Sequence, residues 1–345
     1  MNSPATSRLL PPAPRRRTRS TAARAAARDQ RPRDPLPLLL TSTDHALRWR
    51  TRRDLLDEAV DEEELWRLPE VVRIVRRRLP SGGFAYPSAG ARPAGTTDYE
   101  QYQTYKTLLT LTARYSLTRR HPAVAEAAEY LFDRQTRDGD FRGIYGAQYC
   151  PTYGAQILSV LSEAGYAQDS RVHRGHRWFL RMRQHDGGWA IPLRTHAEGR
   201  NFAAVLARRA ALEPDRTRPS SHLVTGMVVR AFAMNPRWCH DPAVTQAAVW
   251  LSERFFTADA YTDRRTPAFW KRLTYPFTWT DALSVLDALT RLGIGRENAG
   301  VEKARSWLMA QQREDGTWAC GYAHSPDSHA DLWVTYAAAT VLRRL

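Results

Sequence analysis

Apolar residues recur at helical spacing along almost the whole chain from Asp44 onward, and the helices that this spacing predicts are of two alternating kinds. One kind carries charged residues along one face and is predicted at 62–79, 122–135, 170–184, 242–256 and 299–312. The other kind has few charges and is predicted at 45–57, 98–117, 151–164, 221–234, 278–292 and 329–345. A helix that is apolar nearly all round needs neighbours on every side. The pattern therefore predicts an all-α fold with about six inner helices ringed by about five outer ones.

The last predicted helix favours a closed ring over an open helical solenoid. Open solenoids end in capping repeats with polar outer faces. The C-terminal helix instead carries Trp333, Val334, Tyr336 and Val341, so it must be covered by other parts of the chain. Packing against the first helices would cover it. We therefore predict a closed α/α toroid.

A short turn recurs where the charged helices end. Each copy has a glutamine, then a glycine, then an aromatic residue, in the sets Gln135, Gly139 and Phe141; Gln184, Gly187 and Trp189; and Gln312, Gly316 and Trp318, with a weaker copy at 81–84. The glycine supplies the positive φ that a helix stop favours. The aromatic ring can fold back onto the helix just ended, and the glutamine amide can bond exposed carbonyls or the next repeat. We predict that the turn is a structural staple.

This turn resembles the QW repeat of squalene and terpenoid cyclases and of their relatives, the β subunits of protein prenyltransferases. The copies extend over most of the chain from Asp44 onward. The resemblance implies an α/α toroid with an isoprenoid or terpenoid ligand in its central cavity. It leaves the reaction open. It is compatible with a terpene cyclase that uses an aspartic acid as proton donor, with a prenyl-transferring enzyme, and with a toroid that binds a lipid or protein partner without catalysis.

Composition bounds the domain. Of the 345 residues, 43% are hydrophobic, which suits a chain with a sizeable core. Residues 1–40 are rich in arginine, proline and alanine and have few apolar side chains, so we predict a disordered tail there and a single toroid domain at 41–345. No run approaches the ~18 apolar residues of a membrane span, and the three scattered cysteines do not indicate a disulfide framework. We expect a cytoplasmic protein.

The net charge of +15 comes almost entirely from arginine and is accompanied by no nucleic-acid-binding motif. It indicates a diffuse basic surface that would attract anionic lipid or a charged ligand. We expect no specific nucleic acid partner, contact with a membrane surface as an open alternative, and a small hydrophobic ligand as the main partner.

Candidate chemistry gathers where the inner helices begin, since their N-termini all open onto one end of the ring. We predict Asp281, Asp331 and His329 as catalytic residues, with Asp281 as the first choice for the acid. The predicted ligand-binding residues are Tyr102, Tyr105, Tyr149, Tyr153, Phe277, Trp279 and Trp333, because aromatic faces bind isoprenoid chains and stabilise carbocations. The competing interpretation is that the carboxylates cap helices and that the aromatic residues belong to the core.

Departures from the family motifs limit the reaction classes. The Asp-x-Asp-Asp acid motif of class II terpenoid cyclases is absent. Protein prenyltransferases hold zinc with an Asp-x-Cys pair, but Gln148 stands two residues before Cys150. We therefore expect no cofactor and no stoichiometric zinc, and a magnesium or zinc ion stays an open alternative. A carbohydrate-active α/α toroid is a further alternative, in which Asp98 or Glu100 would work with Asp281 or Asp331 as paired carboxylates.

Overall fold

The computed structural model of the protein describes residues 33–87, 98–197, 201–261, 264–322 and 327–345. Within these ranges it is helical, with isolated bridges in place of β-strands. The α-helices in chain order are α1 (Leu36–Leu40), α2 (His45–Leu56), α3 (Glu63–Trp66), α4 (Pro69–Val75), α5 (Tyr99–Ala113), α6 (Pro122–Phe132), α7 (Pro151–Leu161), α8 (Ser170–Arg181), α9 (Phe202–Leu206), α10 (His222–Ala233), α11 (Pro242–Ser252), α12 (Ala282–Arg291), α13 (Ala299–Ala310) and α14 (Ala330–Arg344). None of the described helices is long and apolar enough to cross a bilayer.

Six helices form the inner ring, in the order α2, α5, α7, α10, α12 and α14. Neighbours from α5 round to α14 pack on one another, and α14 packs on α2. The remaining gap is bridged by Arg50 on α2, whose Nε donates to the carbonyl oxygen of Ala113 on α5 at 2.9 Å. The outer helices α6, α8, α11 and α13 each pack on the inner helix that precedes them. The predicted closed toroid is confirmed.

Several predicted boundaries differ from the structure, among them the following. The helix predicted at 62–79 is two short helices, α3 and α4, because Leu68 precedes Pro69 and is extended, with ψ 135°. The helix predicted at 278–292 begins only at Ala282. The folded part starts before residue 41, since α1 is helical and its Leu39 is fully buried. The predicted disorder of residues 1–32 lies outside the described residues.

The recurrent turns act as staples between repeats. In two of them the glutamine Nε2 donates both to its own turn and to a neighbouring segment: Gln135 to the carbonyl oxygens of Gly139 and Arg171, both at 2.9 Å, and Gln312 to those of Gly316 and Arg33, at 2.9 and 2.8 Å. The glycines at these turns have positive φ, 112° at Gly139 and 87° at Gly316. The predicted structural role of the glutamine is therefore confirmed.

The tryptophans of two turns, Trp189 and Trp318, are each held at two points. The indole N–H groups of Trp189 and Trp318 donate to carbonyl oxygens of the helix just ended, those of Phe179 and Leu308, each at 2.7 Å. The backbone N–H of the aromatic residue donates to a threonine hydroxyl on the following inner helix, in the pairs Phe84–Thr104, Trp189–Thr225 and Trp318–Thr335. The turns of Trp189 and Trp318 thus each join one outer helix to one inner helix.

The segment before α12, residues 274–280, runs inside the ring, and we call it the plug segment. The hydroxyl of Tyr275 donates to the carbonyl oxygen of Ala113 at 2.8 Å, and its ring stacks on Trp333 with centroids 5.6 Å apart. Further along, the carbonyl oxygen of Thr278 accepts a bond from Gln156 on α7 at 2.7 Å. The plug segment therefore contacts inner helices on several sides of the ring and fills its middle.

Candidate functional site

A cavity of about 610 Å³ lies among the last turns of the inner helices, and we call it the central cavity. Every inner helix, or the residues just after it, contributes to its lining. The charged lining residues are six arginines and five carboxylates: Arg50, Arg53, Arg230, Arg291, Arg343 and Arg344 with Asp54, Asp57, Glu62, Glu163 and Asp287. We expected the chemistry at the N-terminal end of the inner helices; this cavity lies at their other end.

Most of the cavity charges are held in ion pairs. Asp54 is contacted by Arg50, Arg53 and the hydroxyl of Tyr336. Burial by itself would raise the pKa of Asp54, but the two arginines outweigh it and hold the pKa below its ordinary value. Burial would likewise raise the pKa of Asp287, but Arg291 and Arg344 outweigh it and hold the pKa of that carboxyl below its ordinary value. Both carboxylates are therefore ionised at neutral pH, and most of the polar lining is fixed in place.

The remaining lining of the central cavity has five hydroxyl-bearing residues, Thr112, Ser116, Thr118, Ser159 and Thr340. Its apolar and aromatic residues are Leu109, Ala113, Leu117, Met234, Tyr275, Phe277, Tyr336 and Ala337. These side chains come from α5, α10, α14 and the plug segment, so they face the cavity from several directions. The cavity thus combines an apolar wall with a charged one, an arrangement that suits a ligand with two unlike ends.

A second cavity, of about 580 Å³, opens on the opposite side of the plug segment, and we call it the mouth cavity. Its lining includes Arg114, Arg272, Thr274, Thr278 and Ala330. Tyr275 lines both cavities, so the plug segment lies between them. The ring is therefore divided across its axis.

Asp281 is the N-cap of α12. Its carboxylate accepts the backbone N–H of Ser284 at 2.9 Å and the hydroxyl of Thr274 at 3.1 Å, and the Ser284 hydroxyl completes a capping box. The side chain lies outside the lining of both cavities. Burial raises its pKa to about 7, which these hydrogen bonds and the positive charge of Arg230 only partly offset. The carboxyl thus remains partly protonated near neutral pH.

The other two predicted catalytic residues lie at the start of α14 and face outward. Asp331 pairs with Arg313 at 2.6 Å and accepts the backbone N–H of Cys320 at 2.7 Å, so it holds the last turn in place. His329 Nε2 lies 2.8 Å from the hydroxyl of Thr43. Neither residue lines a described cavity.

The predicted ligand-binding aromatic residues fall into separate groups. Tyr102, Tyr105 and Tyr153 form one cluster with ring centroids 5.5–5.6 Å apart. Tyr149 stands apart and donates its hydroxyl to Glu213 at 2.7 Å. Phe277 and Trp279 belong to the plug segment, and Trp333 packs against it. The structure therefore does not bring the seven into one pocket.

Around the plug segment the aromatic residues mainly pack on one another. Trp333 is fully buried against Tyr275 and donates its indole N–H to Asp44 at 2.9 Å. Trp279 lies under the guanidinium of Arg264, 4.2 Å from it. Of the ten predicted site residues, all of which are described, Phe277 alone lines the central cavity.

The possible zinc ligands have other partners. Gln148 donates to the carbonyl oxygens of Val205 and Ala210 and accepts from the backbone N–H of Leu212, so it holds a loop. Burial raises the pKa of the neighbouring Cys150 thiol to about 12, which keeps it protonated. In the described parts of the chain no three potential ligands lie together. The expectation of no metal stays a prediction.

Sequence reasoning missed the charged residues of the central cavity. A usable signal was present, because Arg230 follows Val228 and Val229 inside an otherwise apolar helix, and Asp287 lies between Leu286 and Ala288 in another. A charge within a buried apolar run is costly unless it is paired or serves a ligand. The candidate residues were instead predicted at the N-termini of the inner helices, whereas the charged cavity lies at their C-terminal ends.

A comparison with solved structures finds chains of low sequence identity. A variant of the type II terpene cyclase MstE from Scytonema, in complex with geranylgeranyl dihydroxybenzoate, is 16% identical, with 86% of this chain and 85% of that chain covered and a TM-score of 0.43. Another MstE variant, in complex with merosterolic acid A, is 16% identical, with 79% and 94% covered and a TM-score of 0.32. A protein from Actinoplanes is 17% identical, with 82% and 99% covered and a TM-score of 0.32.

The sequence was also compared with curated proteins and with models of protein families. A search of the curated proteins finds no match. The family model of the squalene-hopene cyclase C-terminal domain matches residues 95–205 and 172–339. These two overlapping matches together span most of the 345 residues.

Proposed function

Since the chain belongs to the family of the squalene-hopene cyclase C-terminal domain, we propose that it binds an isoprenoid-type ligand in its central cavity. The observation that carries this proposal is the cavity of about 610 Å³ inside the ring, with one apolar and aromatic wall. Pockets for small ligands typically have volumes of roughly 300–1,000 Å³. The size and this wall therefore suit a prenyl chain.

The apolar wall supports binding of a prenyl chain through apolar contacts, which need no polar group on the ligand. Leu109, Leu117 and Met234 offer aliphatic surface, while Phe277 and Tyr336 add aromatic faces. Burial of a prenyl chain against such surface contributes about 25 cal/mol for each Å² removed from water. Because the ion pairs beside this wall are already formed, a ligand that enters would not have to reorganise most of the charged lining.

The test compares a cavity-filling variant with a matched control. Ala337 lines the cavity on α14, so Ala337→Leu places extra carbon atoms in the proposed site. Ala125 lies on the outer helix α6, away from the cavity lining, and Ala125→Leu makes the same change there. Farnesol binding to the full chain, followed by native mass spectrometry and tryptophan fluorescence, should weaken by about tenfold or more only in Ala337→Leu. Equal farnesol binding by both variants and the unchanged protein would place the ligand elsewhere.

A second candidate function is cyclisation started by a proton from Asp281. The observation that favours it is the raised pKa of this buried carboxyl, about 7, because a general acid must still carry its proton at neutral pH. This carboxyl is buried and lies outside the lining of the central cavity, so an alkene would reach it only after neighbouring residues moved. The carboxyl would then donate its proton to the terminal alkene carbon and leave a carbocation near the aromatic rings.

Product analysis separates a cyclase from a binding protein. Incubation with squalene and with geranylgeraniol, followed by gas chromatography and mass spectrometry, should give cyclic products from the unchanged protein and none from Asp281→Asn. Ser284→Ala is the matched control, since it disturbs the same helix cap and leaves the acid in place. Products from Asp281→Asn would exclude this residue as the acid, and the absence of products throughout, with farnesol bound, would favour a binding protein.

A further inference from the structure

Arg230 is a buried cation in the wall of the central cavity. It lies in the last turns of α10, follows Val228 and Val229, and has only 4% of its surface exposed. Its side chain nevertheless lines the cavity. The guanidinium is thus withdrawn from bulk water but borders an internal space.

The other five cavity arginines each have a direct partner. These partners are the Ala113 carbonyl for Arg50, Asp54 and the Ser116 hydroxyl for Arg53, Asp287 for Arg291, Asp57 for Arg343, and Asp287 and Thr290 for Arg344. Among the described residues, Arg230 has no such partner within hydrogen-bond or ion-pair distance. This difference among six arginines of one cavity calls for a specific explanation.

Longer-range electrostatic effects do not explain why Arg230 alone lacks a direct partner within the described residues. The C-terminal end of a helix attracts cations, but Arg53, Arg291, Arg343 and Arg344 also lie in last turns and still make direct bonds. The charges of Asp281, Asp287 and Glu163 act on Arg230 only from a distance. Burial is the dominant effect and lowers the pKa of Arg230 to about 10, so the side chain is still positively charged at neutral pH. The cavity lining also contains one more arginine than carboxylates.

We propose that Arg230 binds an anionic group, a carboxylate or a phosphate, on the ligand of the central cavity. The guanidinium offers several N–H donors in a planar arrangement that matches either group. The proposal rests on the proposed function for the rest of the ligand, since the apolar wall would hold the prenyl chain. The ligand is then an amphiphile whose charged end lies beside α10, towards the C-terminal ends of the inner helices.

The experiment uses the full chain and three probes with one prenyl chain: farnesol, farnesoic acid and farnesyl phosphate. Inorganic phosphate is the fourth probe. We expect the unchanged protein to bind at least one anionic farnesyl probe about tenfold or more tightly than farnesol, and the preferred probe identifies carboxylate or phosphate. Arg230→Met should lose that preference and keep its farnesol affinity. Arg177→Met removes an exposed arginine from the outer helix α8 and should behave as the unchanged protein.

The outcomes distinguish the two proposals. Equal binding of farnesol and both anionic probes by the unchanged protein would overturn the role of Arg230 and leave the prenyl site intact. If no farnesyl probe binds, but phosphate raises the melting temperature of the unchanged protein and not of Arg230→Met, the anion site holds and the isoprenoid proposal fails. A failure of all four probes overturns both. Should Arg230→Met not fold, Arg230→Gln carries the same comparison.

Discussion

Arg230→Met should stabilise the ligand-free protein. The native guanidinium is buried in the cavity wall without a direct partner among the described residues. Methionine has a similar length, carries no charge and adds apolar surface to the same wall. Replacement of a buried charge by an apolar residue of similar volume is often neutral or stabilising, whereas loss of one member of a close pair is destabilising. The direction of the effect therefore reports whether Arg230 has a partner inside the protein.

The magnitude follows from the electrostatics of the site. Burial, the dominant effect, lowers the pKa of Arg230 from 12.5 to about 10. Because each tenfold change in acidity corresponds to about 1.4 kcal/mol, the fold disfavours the charged form by about 3 kcal/mol. The variant would gain only part of this free energy, because the surrounding residues would not rearrange fully around methionine. We expect the free energy of unfolding at pH 7 to rise by about 1–3 kcal/mol.

Urea denaturation followed by circular dichroism measures this change, with the slope of the transition checked for constancy. Arg291→Met is an instructive comparison, since its native side chain pairs with Asp287 at 2.9 Å and its loss leaves that buried carboxylate with one cation fewer. We expect that variant to be destabilised. If Arg230→Met were destabilised as strongly as Arg291→Met, Arg230 would have an internal partner and the argument for an unfilled anion site would be wrong.

Other parts of the structure give further predictions. Trp318→Ala should lower the free energy of unfolding by about 3–5 kcal/mol, because a fully buried aromatic is truncated; an unchanged urea midpoint would contradict the staple. The raised pKa of Asp281 contributes stability that is fully present below its ordinary value of 3.8 and is lost as the pH rises through about 7. Between pH 5 and 8 the unchanged protein should therefore lose about 2–3 kcal/mol, and Asp281→Asn should show a flatter profile in denaturation at both pH values. A chain that starts at Thr41 should melt below one that starts at Arg33, since it lacks the buried Leu39; equal melting would make α1 dispensable. Elemental analysis should find no stoichiometric zinc.

The fold was predictable because its signals are local and repeated. The alternation of charged and uncharged helices follows directly from burial, and the glycine at each turn follows from backbone geometry. The break before Pro69 was also readable from the restriction that proline places on the preceding residue. Repetition multiplies such signals, so an error at one boundary leaves the architecture unchanged.

The site was less predictable because it depends on which side chains meet across the ring. Nothing local in the sequence indicates that residues 274–280 turn inward, or that Tyr275 reaches the carbonyl of Ala113, 162 positions away. That inward path fills the end of the ring where the candidate residues were expected. Arg230 could have been noticed as a charge in an apolar run, but its lack of a partner is visible only in three dimensions.

Closure of the ring also bears on how the chain folds. The contacts that complete it join distant positions, with Trp333 and Asp44 separated by 289 residues and Tyr336 and Asp54 by 282. Folding slows as contacting residues lie farther apart in sequence. During synthesis one side of α2 therefore stays uncovered until α14, near the end of the described chain, has left the ribosome and packs against it. The native ring has no end repeat to fray, and its nascent form is correspondingly dependent on protection from aggregation.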